Sequence, residues 1–171
     1  MRARSKIKTP QEVEALCAAR RRDGARMVFT NGCFDLLHLG HIRYLEAARD
    51  LGDVLVVGIN SDHSVRQIKG PHRPVMAQEE RSEIVAALHC VDYVTVFDTP
   101  DPLPLIRLLQ PEVLVKGADW PREKIVGAEL VEANGGRVEQ IPLVPESSST
   151  SIIQRVLDRY AGRAKAFPRR L

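Results

Sequence analysis

The chain has 171 residues, 44% of them hydrophobic and 27% charged, with a formal net charge of +3. That length builds one domain around a single sizeable core, and the longest apolar run, residues 54–59, is far too short to cross a bilayer. Cys17, Cys33 and Cys90 are odd in number and share no Cys-x-x-Cys spacing, which excludes a disulfide framework and a zinc knuckle.

The positive charge lies at the ends. Arg2, Arg4, Lys6 and Lys8 fall in residues 1–8, and Arg163, Lys165, Arg169 and Arg170 in residues 163–171, with no acidic residue in either stretch. Taking those eight cations from +3 leaves −5 for residues 9–162. The folded part is therefore mildly acidic and both basic ends are expected to be flexible tails. Neither a nucleic-acid partner nor a membrane partner is expected, since nucleic-acid recognition needs a basic face on the folded domain. The charged N-terminus is not followed by an apolar signal region, so the expected location is cytoplasmic.

Thr9-Pro10-Gln11-Glu12 is a capping box with proline at the first helical position. Val13, Leu16 and Cys17 follow at helical spacing, and Gly24 is a stop signal. Residues 27–30 read as a short buried strand. From Thr30 to His41 the chain runs Thr-Asn-Gly-Cys-Phe-Asp-Leu-Leu-His-Leu-Gly-His, a strand end and a glycine turn leading to a helix predicted over about 41–51. Two imidazoles flanking a glycine at a helix N-terminus suit an anion: backbone N–H groups and the helix dipole attract phosphate, and Gly40 lets it approach the main chain.

Residues 53–60 form a near-continuous apolar strand of the kind buried on both faces of a parallel sheet. Helical patterns recur over 62–68 and 78–89, a third strand over 93–97, a helix over 102–109 and a fourth strand over 113–115. A helix over 123–134 stops at Gly135-Gly136, a fifth strand spans 138–144, and an amphipathic helix spans 151–160. Strands alternating with helices predict one α/β domain: a Rossmann-like, doubly wound sandwich with a five-stranded parallel sheet.

Such a fold binds ligands outside the carboxyl ends of its strands, and the polar, unusual residues fall there. Residues 31–41 follow the first strand; Asn60, Ser61 and Asp62 the second; Lys116-Gly117-Ala118-Asp119-Trp120 the fourth; Glu146-Ser147-Ser148-Ser149-Thr150 the fifth. Each has a plainer alternative. His38 and His41 are either phosphate donors or a cap and a surface residue; as a metal pair with Asp35 they lack a further ligand at zinc spacing. The serine run either caps the last helix or offers hydroxyls and N–H groups to a phosphate. Lys116 either snorkels or binds, Asp119 caps or binds, and Trp120 fills the core or lids a base. Lys69 is a solvated loop lysine or a mobile cation, and Arg81 is a helix-surface ion-pair partner or an acceptor contact.

Asn31-Gly32-Cys33-Phe34-Asp35 with His38-Leu39-Gly40-His41 resembles the signature of the cytidylyltransferase-like nucleotidyltransferases, and Ser148-Ser149-Thr150-Ser151-Ile152-Ile153 resembles their second signature. Val113-Leu114-Val115-Lys116-Gly117, the run from Ile125 to Glu132, and Gly135-Gly136 bring the resemblance closest to the D-glycero-β-D-manno-heptose 1-phosphate adenylyltransferases, over roughly residues 25–157. The related glycerol 3-phosphate cytidylyltransferases carry Arg-Thr-Glu-Gly where this chain has Leu143-Val144-Pro145-Glu146. The missing arginine argues against cytidylyl transfer.

The resemblance implies transfer of AMP from ATP to the heptose 1-phosphate, yielding ADP-heptose for lipopolysaccharide core synthesis. His38, His41 and Lys69 would be catalytic. Thr30, Asn31, Gly32, Cys33, Phe34, Gly40, Lys116, Gly117, Asp119, Trp120, Ser148, Ser149 and Thr150 would line the nucleotide, and Asp35 and Arg81 would meet the acceptor. Mg²⁺ would arrive with ATP, without a dedicated protein cage. The resemblance also implies a homodimer, with the N-terminal helix a contributor, and a separate heptose kinase supplying the substrate. Two other functions remain open: a transferase of this fold using CTP or another acceptor, and a non-catalytic nucleotide-binding module.

Overall fold

The computed structural model describes residues 2–145 and 147–161; Glu146 and the basic stretch 163–171 lie outside the described residues. Strands β1 (Met27–Gly32), β2 (Val54–Asn60), β3 (Tyr93–Phe97), β4 (Val113–Gly117) and β5 (Arg137–Ile141) form one parallel sheet in the order β3-β2-β1-β4-β5. The helices are α1 (Ala3–Lys6), α2 (Pro10–Arg22), α3 (Leu39–Arg49), α4 (Asp62–Lys69), α5 (Gln78–Ala87), α6 (Leu103–Leu109), α7 (Ala128–Ala133) and α8 (Ser149–Tyr160). This is the predicted doubly wound α/β fold.

Every residue of β2 is buried, as a strand sandwiched between two helical layers requires. Side chains alternate across the sheet with period two. Val54 and Val56 join Phe29 and Leu114 beneath α2, α6 and α7. Leu55, Val57 and Ile59 join Val28, Val113 and Val115 beneath α3 and α5. Each such aliphatic side chain contributes roughly 1.5–3 kcal/mol on burial.

The register opens the cleft. β1 pairs with β2 through six positions to Gly32↔Ile59, and β4 pairs with β5 through five to Gly117↔Ile141. Between β1 and β4 only Val28↔Val113 and Phe29↔Leu114 are in register. The carboxyl ends of these two central strands therefore carry no shared ladder, and a crevice forms at the switch in strand order.

Two expectations change. The N-terminal basic segment is not a loose tail: residues 3–6 are helical, Ile7 bridges Val94 on β3, and Lys8 N donates to Val94 O at 2.9 Å. Lys6 Nζ donates to Leu88 O and Val91 O at 3.0 and 2.7 Å. A charge count misses this because Ile7 packs on the core and the segment covers the exposed edge of β3. The predicted helix over 123–134 is broken into a single 3₁₀ turn, Arg122–Lys124, and α7. Gly127, at φ +87°, turns the chain between them, and a Cβ there would lie 2.6 Å from Ile106 Cδ1, so the helix yields to burial of Ile125.

Arg81 on α5 ties the carboxyl ends together. Its side chain is fully buried. Nε donates to Met76 O at 3.1 Å, Nη1 to Cys33 O at 2.5 Å, and Nη2 to Asn60 O at 2.8 Å and Asp62 Oδ1 at 2.7 Å. The guanidinium thus joins the turn after β1, the end of β2 and the entry to α5. It is neither a helix-surface ion pair nor open to an acceptor, which corrects both sequence readings. Removing one partner from a buried charged network costs about 3–5 kcal/mol. Arg81→Met is expected to lower the melting temperature by roughly 10 °C; an unchanged melt in a thermal scan would remove Arg81 from this role.

Candidate active site

The site starts from the backbone of the β1–α3 turn. Phe34 adopts a left-handed conformation, φ 46°, which reverses the chain just past Gly32, where a Cβ would crowd the Phe34 ring at 3.1 Å. Thr30 is buried and its hydroxyl pairs with Tyr44 Oη at 2.7 Å, locking β1 to α3. Thr30 thus braces the turn and its hydroxyl does not face the cleft. Burial raises the Tyr44 phenol well above its ordinary pKa, so it stays a neutral partner.

Helix α3 begins at Leu39, two residues earlier than predicted, with His38 at the N-cap in extended backbone. The His38 side chain makes no cap hydrogen bond; its ring stacks on His41, centroids 3.8 Å apart at 24°, while Phe34 packs on His41 at 5.2 Å. Gly40 makes the stack possible. A Cβ there would lie 3.0 Å from His38 Nδ1 and 3.2 Å from Ser147 Cβ. Its smallness makes room for the imidazole and the β5–α8 loop.

Both Nδ1 atoms, of His38 and His41, are buried and have no hydrogen-bond partner among the described residues. Burial lowers the pKa of His38, and burial together with the neighbouring His38 lowers His41 to about 4. Two neutral imidazoles with unspent nitrogens cost free energy unless something binds them. An anion there would restore their basicity.

A second helix N-terminus meets the first. α8 starts at Ser149, two residues before its predicted start, because Ser148 caps it by accepting from Ser151 N at 2.9 Å. Ser149 Oγ donates to Leu36 O at 3.0 Å and accepts from Leu36 N at 3.3 Å. The hydroxyls of Ser148 and Ser149 are thus committed to building the site. The backbone N–H groups of Leu39, Gly40, Ser149 and Thr150 have no acceptor among the described residues. Two helix N-termini converging on one cleft have the chemistry to hold an anion.

Across the crevice, Lys116 Nζ donates to Asn31 Oδ1, bridging β1 and β4 where their ladder stops. Burial holds Lys116 down to about 8. Beyond it a Cβ at Gly117 would collide with Asp119 Oδ1. Trp120 is 51% exposed, its carbonyl held by Gln140 Nε2 at 2.6 Å, so it is not core filler.

The third wall is the segment after α4. Lys69, the last residue of α4, is exposed and precedes Gly70 at φ 92°. Asp35 is 2% exposed and spent: Oδ2 accepts from Arg73 Nε at 2.6 Å, and Oδ1 from Val75 N and Met76 N at 2.8 and 3.0 Å. It anchors the segment 73–76 instead of facing an acceptor. Arg73 was not singled out by sequence; the signal was Asp35, a carboxylate in an apolar turn that needs a cation. Among the described residues no three His, Cys, Asp or Glu side chains form a metal cluster, and none of their helices is long and apolar enough to cross a membrane.

Fold and site together define a doubly wound α/β domain with a histidine-lined cleft at its switch point, of a chemistry that suits an anion. Residues 29–155 match the Cytidylyltransferase-like family, and the chain belongs to this family of nucleotidyltransferases. It is 55% identical to the Bifunctional protein HldE of Syntrophotalea carbinolica over 156 residues, 91% of this chain and 32% of that protein. It is 54% identical to the protein of the same name from Trichlorobacter lovleyi, with the same coverage. The chain spans about a third of the length of these curated relatives. Among solved structures, the lipopolysaccharide core biosynthesis protein from Thermoplasma volcanium GSS1 is similar, with a TM-score of 0.59 and 27% identity, covering 71% of this chain and 98% of that one.

The histidine pair makes acid stability a probe of the site. The unfolded chain protonates His41 near its ordinary 6.5, whereas the folded chain resists until about 4. The folded state therefore binds fewer protons between those values, so stability is full above about pH 6.5 and falls as pH drops through that window. Melting temperatures measured from pH 7.5 to 4.5 are expected to decline less steeply in His41→Asn than in the wild type. Equal slopes would mean that His41 is not held neutral.

Proposed function

We propose that the domain transfers AMP from ATP to D-glycero-β-D-manno-heptose 1-phosphate, releasing pyrophosphate and forming ADP-heptose. The observation that carries this reading is the stacked His38–His41 pair with two unspent buried nitrogens beside two helix N-termini. Support for the acceptor comes from the identity to the HldE proteins and from the likeness to a protein titled for lipopolysaccharide core biosynthesis. Those relatives are named bifunctional; the proposal concerns only the third of their length that this chain matches.

An oxygen of the acceptor phosphate attacks the α-phosphorus of ATP in line. The new P–O bond forms as the bond to the β-phosphate bridging oxygen breaks, and the electron pair leaves on pyrophosphate. The nucleophile is already anionic, so catalysis consists of positioning and charge stabilisation in a dry cleft. His38 and His41 donate to the triphosphate, and the N–H groups opening α3 and α8 bind phosphate oxygens. Lys69, exposed beside a glycine hinge, closes over the reacting phosphates. Trp120 and Asp119 flank the nucleoside. Mg²⁺ arriving with ATP would neutralise charge on the triphosphate, with no residue of this chain assigned to hold it. The commitment of Asp35 to Arg73 and two backbone N–H groups fits a domain that brings no carboxylate cage of its own.

Removing one such donor typically costs about 10²–10³ in turnover, and that loss is expected for His41→Ala with the fold intact. The assay is pyrophosphate release from ATP or CTP against a panel of sugar and polyol phosphates. Release with ATP and the heptose 1-phosphate alone is expected. Release only with CTP would overturn the donor, and no release with any pair would favour a non-catalytic binding module.

The homodimer belongs to the same proposal, with α8 rather than the N-terminal helix at its interface. Helix α2 already packs Val13 and Cys17 into the protomer core, whereas Val156 and Leu157 on α8 are 50% and 57% exposed. Sedimentation of Leu157→Glu is expected to report a monomer where the wild type is a dimer; a dimeric variant would sink this interface.

A further inference from the structure

The reaction proposed above brings a phosphate monoester up to a triphosphate, and the acceptor needs a cation of its own. Among the described residues, four cationic side chains border the β1–α3 turn and the crevice. Arg81 is fully buried with all three guanidinium nitrogens bonded to the protein. Lys116 is turned to Asn31. Lys69 is exposed at the end of α4, suited to a mobile role.

Arg73 differs from all three. Its Nε is bonded to Asp35 Oδ2 at 2.6 Å, and its side chain keeps 19% exposure while Asp35 keeps 1%. Neither Nη nitrogen has a partner among the described residues. Asp35 itself cannot rotate, because Val75 N and Met76 N hold its other oxygen. One edge of the guanidinium is therefore clamped, and the Nη groups are left as a fixed donor pair, the geometry that suits bidentate binding of a phosphate. The location also fits: Asp35 lies in the β1–α3 turn that leads to the histidines, so its hydrogen bond places Arg73 beside that turn.

We infer that Arg73 binds the phosphate of the acceptor monoester through its two Nη groups, and that Asp35 is its positioning residue. Asp35 then serves the acceptor indirectly: its charge orients the arginine. Arg73 selects for a phosphorylated acceptor over the free sugar, because a neutral hydroxyl offers no bidentate partner to a half-buried cation.

The inference rests on the adenylyltransferase reading, and two measurements on the full chain separate their failures. The first is steady-state pyrophosphate release with ATP and the heptose 1-phosphate. Arg73→Gln is expected to raise the acceptor KM by 10- to 100-fold with the ATP KM within twofold of wild type, and Arg73→Lys to recover part of that loss. Asp35→Asn is expected to move the acceptor KM the same way by less. The second is calorimetric titration with the heptose 1-phosphate, which needs no turnover: binding is expected in the wild type and lost in Arg73→Gln, with thermal melts confirming folded variants. If the wild type turns over and folded Arg73→Gln keeps its acceptor KM, the inference is overturned and the enzyme reading stands. A joint shift in both KM values would reduce Arg73 to a brace for residues 73–76 and also overturn it. If no pair of substrates turns over but Arg73-dependent binding persists, the enzyme reading fails and the phosphate site stands. Absence of both ends both.

Discussion

A single buried guanidinium organises the working end of this molecule. Arg81 is fully buried on α5 and bonds the carbonyls of Cys33, Asn60 and Met76 and the carboxylate of Asp62. Strand ends in an open parallel sheet leave backbone carbonyls beyond the last ladder bond, and buried carbonyls need donors. One arginine with five N–H groups satisfies three of them at once. The cost of burying its charge is offset because each guanidinium nitrogen is bonded, which is the condition under which a buried charge is tolerated. The turn after β1 and the segment before α5 therefore hold fixed positions, and everything that lines the cleft hangs on one or the other.

On that frame, two helix N-termini are drawn together. Gly40 lets the His38 ring and the Ser147 loop approach the first turn of α3, and Ser149 exchanges two hydrogen bonds with the backbone of Leu36. Four N–H groups and two buried imidazole nitrogens are left there without partners among the described residues. The histidines are neutral there because burial disfavours their charged forms. A bound polyanion would reverse that balance and let the pair take up charge. Such preorganised donors are costly in isolation and strongly favourable when charge develops beside them.

Legibility followed the range of the interaction. The five strands and most helices were readable because hydrophobic period and caps are local, as in the Thr9–Glu12 capping box. Ends slipped by one to three residues: β4 runs on to Gly117, and β5 stops at Ile141. The helix over 123–134 failed because its apolar spacing was sound while Gly127 and the contact with Ile106 decided the backbone. The stretch 2–8 was misread because its charges hide Ile7, whose partner on β3 lies 87 residues away.

The residue types that make the cleft were legible, and their jobs were not. His38, Gly40, His41 and the serine run stand in sequence next to turn and cap signals, so a phosphate-binding helix start follows from short-range chemistry alone. Which hydroxyls and charges remain free for a ligand depends on partners 14 to 113 residues distant: Tyr44 for Thr30, Leu36 for Ser149, Arg73 for Asp35, and Cys33, Asn60 and Asp62 for Arg81. The sequence by itself determined the parallel sheet and pointed to a polar cleft at its strand ends, because periodicity, caps and turn chemistry act over a few residues. Only the tertiary structure decided which polar groups are spent as braces and which stay open, because hydrogen-bond satisfaction in a buried site is settled by whatever the fold brings within 3 Å.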